Sequence, residues 1–311
     1  MPESGPSCRI GIDVGGTKIE AIAIDASGGE LARQRIASPR GDYAATLAAL
    51  AKLVRQIESQ LGCAATVGLG IPGSISPITG VVRNANSTWL IGHPLDRDLG
   101  EILGREIRTA NDANCFALSE ASDGAGAGAR CVFGVILGTG VGGGIVVDGR
   151  VLAGRNAIAG EWGHNPLPWP ASDEIPGRPC YCGKTGCIET FLSGPGLSRD
   201  FALAARRSLT PRDIVAAADA GDADANTALE RYEHRLARAL ASVINVLDPD
   251  VIVLGGGMSN VTRLYRNVPA LWTPFLFADY AETPLVPPLH GDSSGVRGAA
   301  WLWRLQTSDV R

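Results

Sequence analysis

Residues 8–25, CRIGIDVGGTKIEAIAID, fall into three parts: an apolar, β-branched run (Cys8 to Asp13), a glycine turn (Val14-Gly15-Gly16-Thr17) and a run in which apolar and polar residues partly alternate (Lys18 to Asp25). That is strand, turn, strand. Gly28-Gly29 then turns the chain into Glu30 to Ala37, completing a three-stranded meander. The order begins again at residue 131. Cys131 to Leu137 reads as a strand, Gly138-Thr139-Gly140-Val141-Gly142-Gly143-Gly144 as a glycine turn, Ile145 to Asp148 as a strand, and Gly149-Arg150 as a turn into a third. Two such copies, each followed by further helices and strands, predict an α/β protein of two similar domains facing each other across a cleft.

Between the copies, Leu47, Leu50, Val54, Ile57 and Leu61 share one face of a helix. Ala64 to Ile71 reads as a buried strand, Leu95 to Leu103 as a helix, Glu106 to Ala110 as a strand and Ala113 to Ser122 as a helix. In the second half Leu229, Tyr232, Leu236, Leu240, Val243 and Leu247 form the face of a long helix that Asp248-Pro249 ends. Val251 to Leu254 is a buried strand leading into Gly255-Gly256-Gly257, and a last helix begins at Val296. The expected division is a smaller N-terminal domain over 1–120, with the helix in 296–311 packing back on it, and a larger one over 121–295. The alternating glycines and alanines from Gly124 to Gly128 suit either a hinge or a plain helix end.

The 311 residues leave room for two cores. With 28 basic against 32 acidic side chains, no polybasic surface is available for nucleic acid or anionic lipid. The two long uncharged stretches are poor membrane spans: Cys63 to Val82 contains Pro72 and Pro77, and Cys131 to Val147 is broken by glycines. Seven unevenly spread cysteines, and a start (Met1 to Ser7) lacking a basic and apolar leader pattern, read as a cytoplasmic chain with reduced thiols. Glycine, at 40 residues, is well above its usual share of about 7 %.

Several short motifs carry chemistry. In Asp13-Val14-Gly15-Gly16-Thr17-Lys18 the glycines let backbone N–H groups approach an anion, Thr17 and Lys18 add donors, and Asp13 suits hydrated Mg²⁺. Alone, this could be a bare hairpin turn; its counterpart Gly138-Thr139-Gly140 makes a pair of phosphate loops the better reading. Gly255-Gly256-Gly257 offers a third stretch of bare backbone on which a purine could lie. Cys180, Cys182 and Cys187 place three thiols within eight residues, sixteen positions after His164, a donor set for a closed, structural Zn²⁺ site. Asp112, between a strand and a helix, is either an N-cap or a general base for phosphoryl transfer. Glu161 and Glu189 flank the thiol cluster and could hold sugar hydroxyls, with the metal fixing their register.

Taken together these residues resemble the ROK sugar kinases, over nearly the whole chain. The resemblance is carried by 13–18 (DVGGTK), 70–73 (GIPG), 111–114 (NDAN), 138–144 (GTGVGGG), 161–164 (EWGH) and the thiol cluster with Ile188-Glu189. It implies an actin-like, hexokinase-like ATPase fold, and Asp112 as the base toward a sugar's primary hydroxyl. It further implies sugar contacts from Asn86, Asn111, Glu161, His164 and Glu189, and Zn²⁺ on His164, Cys180, Cys182 and Cys187. ATP phosphates would lie on the loops Gly11, Ile12, Asp13, Val14, Gly15, Gly16, Thr17, Lys18 and Gly138 to Ile145, and a homodimer is expected. Asn86-Ser87-Thr88-Trp89-Leu90 and the stretch 161–169 (EWGHNPLPW) look most like bacterial fructokinases of the mannofructokinase kind. The expected reaction is therefore ATP-dependent phosphorylation of the fructose 6-hydroxyl, and of mannose. Alternatives are an N-acetylglucosamine kinase or glucokinase of the same family, or a sugar-responsive regulator without catalysis. Family repressors carry a helix-turn-helix ahead of the shared domain, for which a first strand near Cys8 leaves no room.

Overall fold

The computed structural model describes residues 8–303. The first half runs β1 (Cys8–Val14), β2 (Lys18–Ile24), β3 (Glu30–Ala37), α1 (Tyr43–Leu61), β4 (Ala65–Ile71), β5 (Ser74–Ile75), β6 (Val82–Arg83), α2 (Leu95–Leu103), β7 (Ile107–Asn111) and α3 (Asp112–Asp123). The second runs β8 (Cys131–Leu137), β9 (Val141–Val147), β10 (Arg150–Val151), α4 (Glu189–Leu192), α5 (Gly194–Ala205), α6 (Pro211–Asp219), α7 (Ala223–Leu247), β11 (Val251–Gly255), α8 (Arg263–Trp272), β12 (Leu285–Val286) and α9 (Ser294–Trp301).

Two five-stranded sheets have one topology. The first is ordered β3-β2-β1-β4-β7 and the second β10-β9-β8-β11-β12. In each, the three meander strands pair antiparallel and two more strands add in parallel. The duplication read from the glycine turns is thus a duplication of whole sheets. Helix ends follow local chemistry. Asp42 caps α1 by accepting the Ala45 N–H, Gly62 closes it at φ 67°, and Asp222 caps α7 by accepting the Ala225 N–H.

Helices α3 and α9 each pack on the sheet other than that of the strand preceding them in sequence. α3 buries Phe116, Ala117, Leu118 and Ala121 with Val132, Val146, Val251 and Val253 of the second sheet. α9, at the far end of the chain, buries Val296 and Ala300 on Ile22 and Ile24 of the first. Glycines permit this approach. A Cβ on Gly11 would stand 2.1 Å from the Val296 carbonyl oxygen, one on Gly68 1.9 Å from that of Ala299, and one on Gly298 1.6 Å from that of Cys115 in α3. Gly298→Ala is expected to lower stability by about 3 kcal/mol or more, because two helix backbones must separate; the denaturant midpoint measures it, and an unchanged midpoint would contradict this packing.

Two sequence expectations are corrected. The second glycine turn ends at Gly140: Val141 to Gly144 already belong to β9. Their missing Cβ atoms serve packing, Gly144 lying against the Ala113 carbonyl (2.5 Å from a built Cβ) and Gly143 against Gly160 and Trp162. The last helix ends at Trp301, and residues 304–311 lie outside the described residues. Gly124 to Gly128 is a helix end in this structure, α3 stopping at Asp123 with Gly124 as its C-cap.

Candidate active site

The parallel strands β4 and β7 deliver their C-terminal ends, and the start of α3, beside the β1–β2 turn. At this junction Asn111, not Asp112, caps α3: its side-chain oxygen accepts the Asn114 N–H at 2.8 Å. The N-cap reading of Asp112 is therefore overturned. Asp112 is the first helical residue, its one hydrogen bond coming from the Ala113 N–H at 2.8 Å, and it faces solvent. Protein nevertheless surrounds most of the carboxylate, as at the floor of a cleft. This desolvation pushes its pKa above the ordinary carboxylate range, the Ala113 N–H opposes the rise and nearby Glu161 adds to it.

Asp13 stands opposite Glu20 across the β1–β2 ladder. Its pKa is raised to about 6, first by burial, then by Asp112 and Glu20, with Lys18 pulling the other way. Glu20 is neutralised by Arg33 at 2.9 Å and Arg35 at 2.8 Å. Asp13 and Asp112 have no such ion pair among the described residues, a donor set that suits a hard divalent cation. A carboxyl whose folded pKa exceeds its unfolded value costs stability when ionised, and the cost is relieved as pH falls toward the unfolded value. In magnesium-free buffer Asp13→Asn should therefore stabilise the protein at pH 8 by on the order of 1–3 kcal/mol, a gain that shrinks as pH falls through about 6. Denaturant midpoints at pH 8 and pH 5 check it; equal gains at both would refute it.

The glycine positions assigned to nucleotide separate into two groups. Gly15 and Gly16 form the open turn after the buried Val14, with Thr17 and Lys18 exposed. Gly15 is needed for closeness, since its Cβ would lie 2.7 Å from the Lys18 carbonyl oxygen, and a Cβ on Gly138 would meet nothing. Gly11 and Ile12, by contrast, lie inside the β1 ladder, with Gly11 against α9. Gly142 to Ile145 lie within β9. Gly255 packs on the Phe116 ring, and Gly256, at φ 77°, on the Leu137 carbonyl. Packing accounts for these glycines.

The thiol cluster is assembled. One donor atom each from His164, Cys180, Cys182 and Cys187 lies within 4.8 Å of every other. Cys182 and Cys187 Sγ are 3.6 Å apart, and Cys180 Sγ is 3.5 Å from His164 Nδ1. Zinc bonded to sulfur at about 2.3 Å in a tetrahedron sets donors roughly 3.7 Å apart, so the residues fit that ion. His164 Nδ1 faces the Cys180 thiol and would be the coordinating atom, while Nε2 pairs with the Tyr181 hydroxyl at 2.9 Å, an outer partner that orients the ring.

The same loop reaches the second glycine turn. Glu189 opens α4, and its Oε2 accepts the Val141 N–H at 3.0 Å while lying where a Gly140 Cβ would collide. Its other oxygen is free of hydrogen bonds among the described residues. Trp162 Nε1 donates to the Gly142 carbonyl at 3.0 Å, anchoring the segment that carries Glu161. Asn86 is exposed. Beside it is a residue given no role of its own in the sequence reading: Ser87 is 1 % exposed, its Oγ has no hydrogen-bond partner among the described residues, and it lies 3.5 Å from a Cβ built on Gly16. Only the fold shows its approach to Gly16, which lies 71 residues earlier in the chain.

Known proteins share this chain's sequence pattern and fold. The ROK family model matches residues 9–306, and the chain belongs to that family. It is 42 % identical over 296 residues to the N-acetyl-D-glucosamine kinase of Vibrio cholerae, covering 94 % of this chain and 98 % of that one. It is 40 % identical over 296 residues to the N-acetyl-D-glucosamine kinase of Yersinia pseudotuberculosis, covering 94 % and 97 %. Among solved structures it superposes on the ROK hexokinase of Thermus thermophilus with a TM-score of 0.84 at 32 % identity, covering 94 % of this chain and 97 % of that one. A ROK family glucokinase from Streptomyces griseus, solved with glucose and AMPPNP, gives 0.75 at 27 % identity, covering 96 % and 99 %. The actin-like ATPase fold expected from the sequence is the fold of this chain. No described helix is long and apolar enough to cross a membrane.

Proposed function

We propose that the protein is an ATP-dependent sugar kinase that phosphorylates the primary hydroxyl of a hexose, with Asp112 as general base. The observation that carries this reading is the freed carboxylate. Asn111 takes over the capping of α3, leaving the exposed Asp112 with one hydrogen bond, from the Ala113 N–H, at the C-terminal ends of the parallel strands. Its raised pKa makes it a better proton acceptor for an alcohol than an ordinary surface carboxylate.

Triphosphate oxygens would be held by backbone N–H groups of Gly15 to Thr17 and of Gly138 to Gly140, with Lys18 nearby. Mg²⁺ bound with the nucleotide would neutralise phosphate charge, and Asp13 would hold its hydration shell. Asn111, Glu161 and Glu189 would orient the sugar. Zn²⁺ held by His164, Cys180, Cys182 and Cys187 would fix the loop leading to Glu189; four protein donors fill a tetrahedron, so its contribution is positional. A homodimer belongs to this reading through the family resemblance.

The acceptor that the curated relatives favour is N-acetyl-D-glucosamine, at 40–42 % identity. Fructose is the second reading, favoured by the stretches Asn86 to Leu90 and Glu161 to Trp169. Coupled ADP-release assays with N-acetylglucosamine, fructose, mannose and glucose at fixed ATP, compared as kcat/KM ratios, decide between them. No turnover with any hexose would remove the kinase reading.

A further inference from the structure

The chain leaves β3 beside the first glycine turn and stays there until α1 begins. Lys18 stands opposite Ala37 in the β2–β3 ladder, and the Ser38 N–H donates to the Thr17 carbonyl at 3.1 Å. At the other end of the segment Asp42 caps α1. The buried Thr46 hydroxyl donates to the Asp42 carbonyl at 2.7 Å while accepting from Trp89 Nε1 at 3.2 Å. Residues 38–42 are thus held at both ends. Arg40 projects from this segment, and its Nε donates to the Gly16 carbonyl at 3.0 Å.

The other cations of β2 and β3 are already engaged. Lys18 Nζ lies 3.9 Å from one Glu20 oxygen and Arg35 Nη2 2.8 Å from the same oxygen, while Arg33 Nη1 lies 2.9 Å from the other. Arg40 has no carboxylate partner among the described residues, and its two amino nitrogens make no hydrogen bond among them. The residue is exposed. Its uncompensated positive charge therefore stands on the carbonyl of a turn whose N–H groups would hold the triphosphate.

The rest of this neighbourhood is negative. Asp13, just before the turn, feels both Asp112 and Glu20 as like charges. A triphosphate stays anionic even with a divalent cation bound, so a free guanidinium here offers it charge-assisted hydrogen bonds. The transferred phosphoryl has to lie within reach of the alcohol that Asp112 would deprotonate. That places the terminal phosphate, rather than the adenosine end, at the turn beside Asp13 and Asp112.

We infer that Arg40 is a phosphate-binding residue: its Nε holds the Gly16 carbonyl while its free amino nitrogens donate to oxygens of the terminal phosphoryl group. This role rests on the kinase reading and names the cation that grips the group to be transferred. A planar guanidinium can meet two oxygens of one phosphoryl at once, which the Lys18 ammonium beside Glu20 does not.

The test is calorimetric titration of the full chain, in buffer containing Mg²⁺, with ADP and with a non-hydrolysable ATP analogue. Wild type should bind both. Arg40→Gln should weaken the analogue about tenfold or more, the usual worth of a hydrogen bond to a charged group, and leave ADP nearly unchanged. Arg40→Lys keeps the charge without the fork and should fall between the two. Because Arg40 is exposed and outside the ion pairs, the melting temperature of both variants should stay near wild type. The proposal is overturned if Arg40→Gln binds the analogue as wild type does, or if it weakens ADP and the analogue equally, since a contact that only shapes the turn would affect both. Wild type binding neither nucleotide would overturn the kinase reading itself, and this role with it.

Discussion

Asp112→Asn should lower kcat by about 10²- to 10⁴-fold, the range over which a positioned general base acts, while KM for the hexose stays within a few-fold. Asparagine keeps the size and the hydrogen bond from the Ala113 N–H but cannot accept the hydroxyl proton. Folding should not suffer. Surrounding protein raises the carboxylate's pKa although the residue stays exposed, so its ionised form adds no stability at neutral pH that the amide would lose. The melting temperature of the variant should therefore equal or exceed that of wild type. Steady-state kinetics and a thermal scan on the same preparation make the check. Near-normal turnover would remove Asp112 from the chemistry, and a lower melting temperature with equally poor sugar binding would mean that its role is structural.

Removing the metal should have the second largest effect. Cys182→Ser, or treatment with a strong chelator, leaves His164, Cys180 and Cys187 with a ligand set that no longer closes. Glu189 follows Cys187 by two residues, and its N–H donates to the Gly163 carbonyl beside His164 at 2.9 Å. A displacement of the loop is therefore a displacement of Glu189 and of the Val141 N–H that it accepts. A 1 Å misplacement of a positioning group costs about 10²-fold in rate, so kcat/KM for the sugar should fall by about that factor, with a lower melting temperature. Added Zn²⁺ should restore the chelated wild type and not Cys182→Ser. If metal analysis finds no zinc in freshly purified protein, or if chelation leaves kcat/KM unchanged, the cluster has another purpose.

How far the site could be read in advance depends on how local its parts are. Three thiols in eight residues with a histidine nearby can hardly avoid meeting, because a short, glycine-turned loop cannot carry them apart. The turn Gly15-Gly16 is legible for the same reason. Asp112 was ambiguous in sequence, since Asn111 and Asp112 are equally good caps and only backbone dihedrals decide which of them is used. Glycines are harder to read, because packing also selects them: at Gly142 to Gly144, Gly255 and Gly11 another piece of the protein lies where a Cβ would be, namely Ala113 and the Gly160–Trp162 segment, the Phe116 ring and the Val296 carbonyl.

From its amino acids alone this protein is a repeated strand-turn-strand unit with a metal-binding loop and a carboxylate at a strand end, because periodicity, turn chemistry and close spacing act over a few residues. The tertiary structure decided the placement of α3 on the second sheet, the separation of open-turn glycines from those covered by other parts of the chain, and the burial beside Gly16 of Ser87, whose Oγ has no hydrogen-bond partner among the described residues. Each of these depends on which distant backbone approaches within a few ångströms, and that is set by the packing of whole sheets and helices.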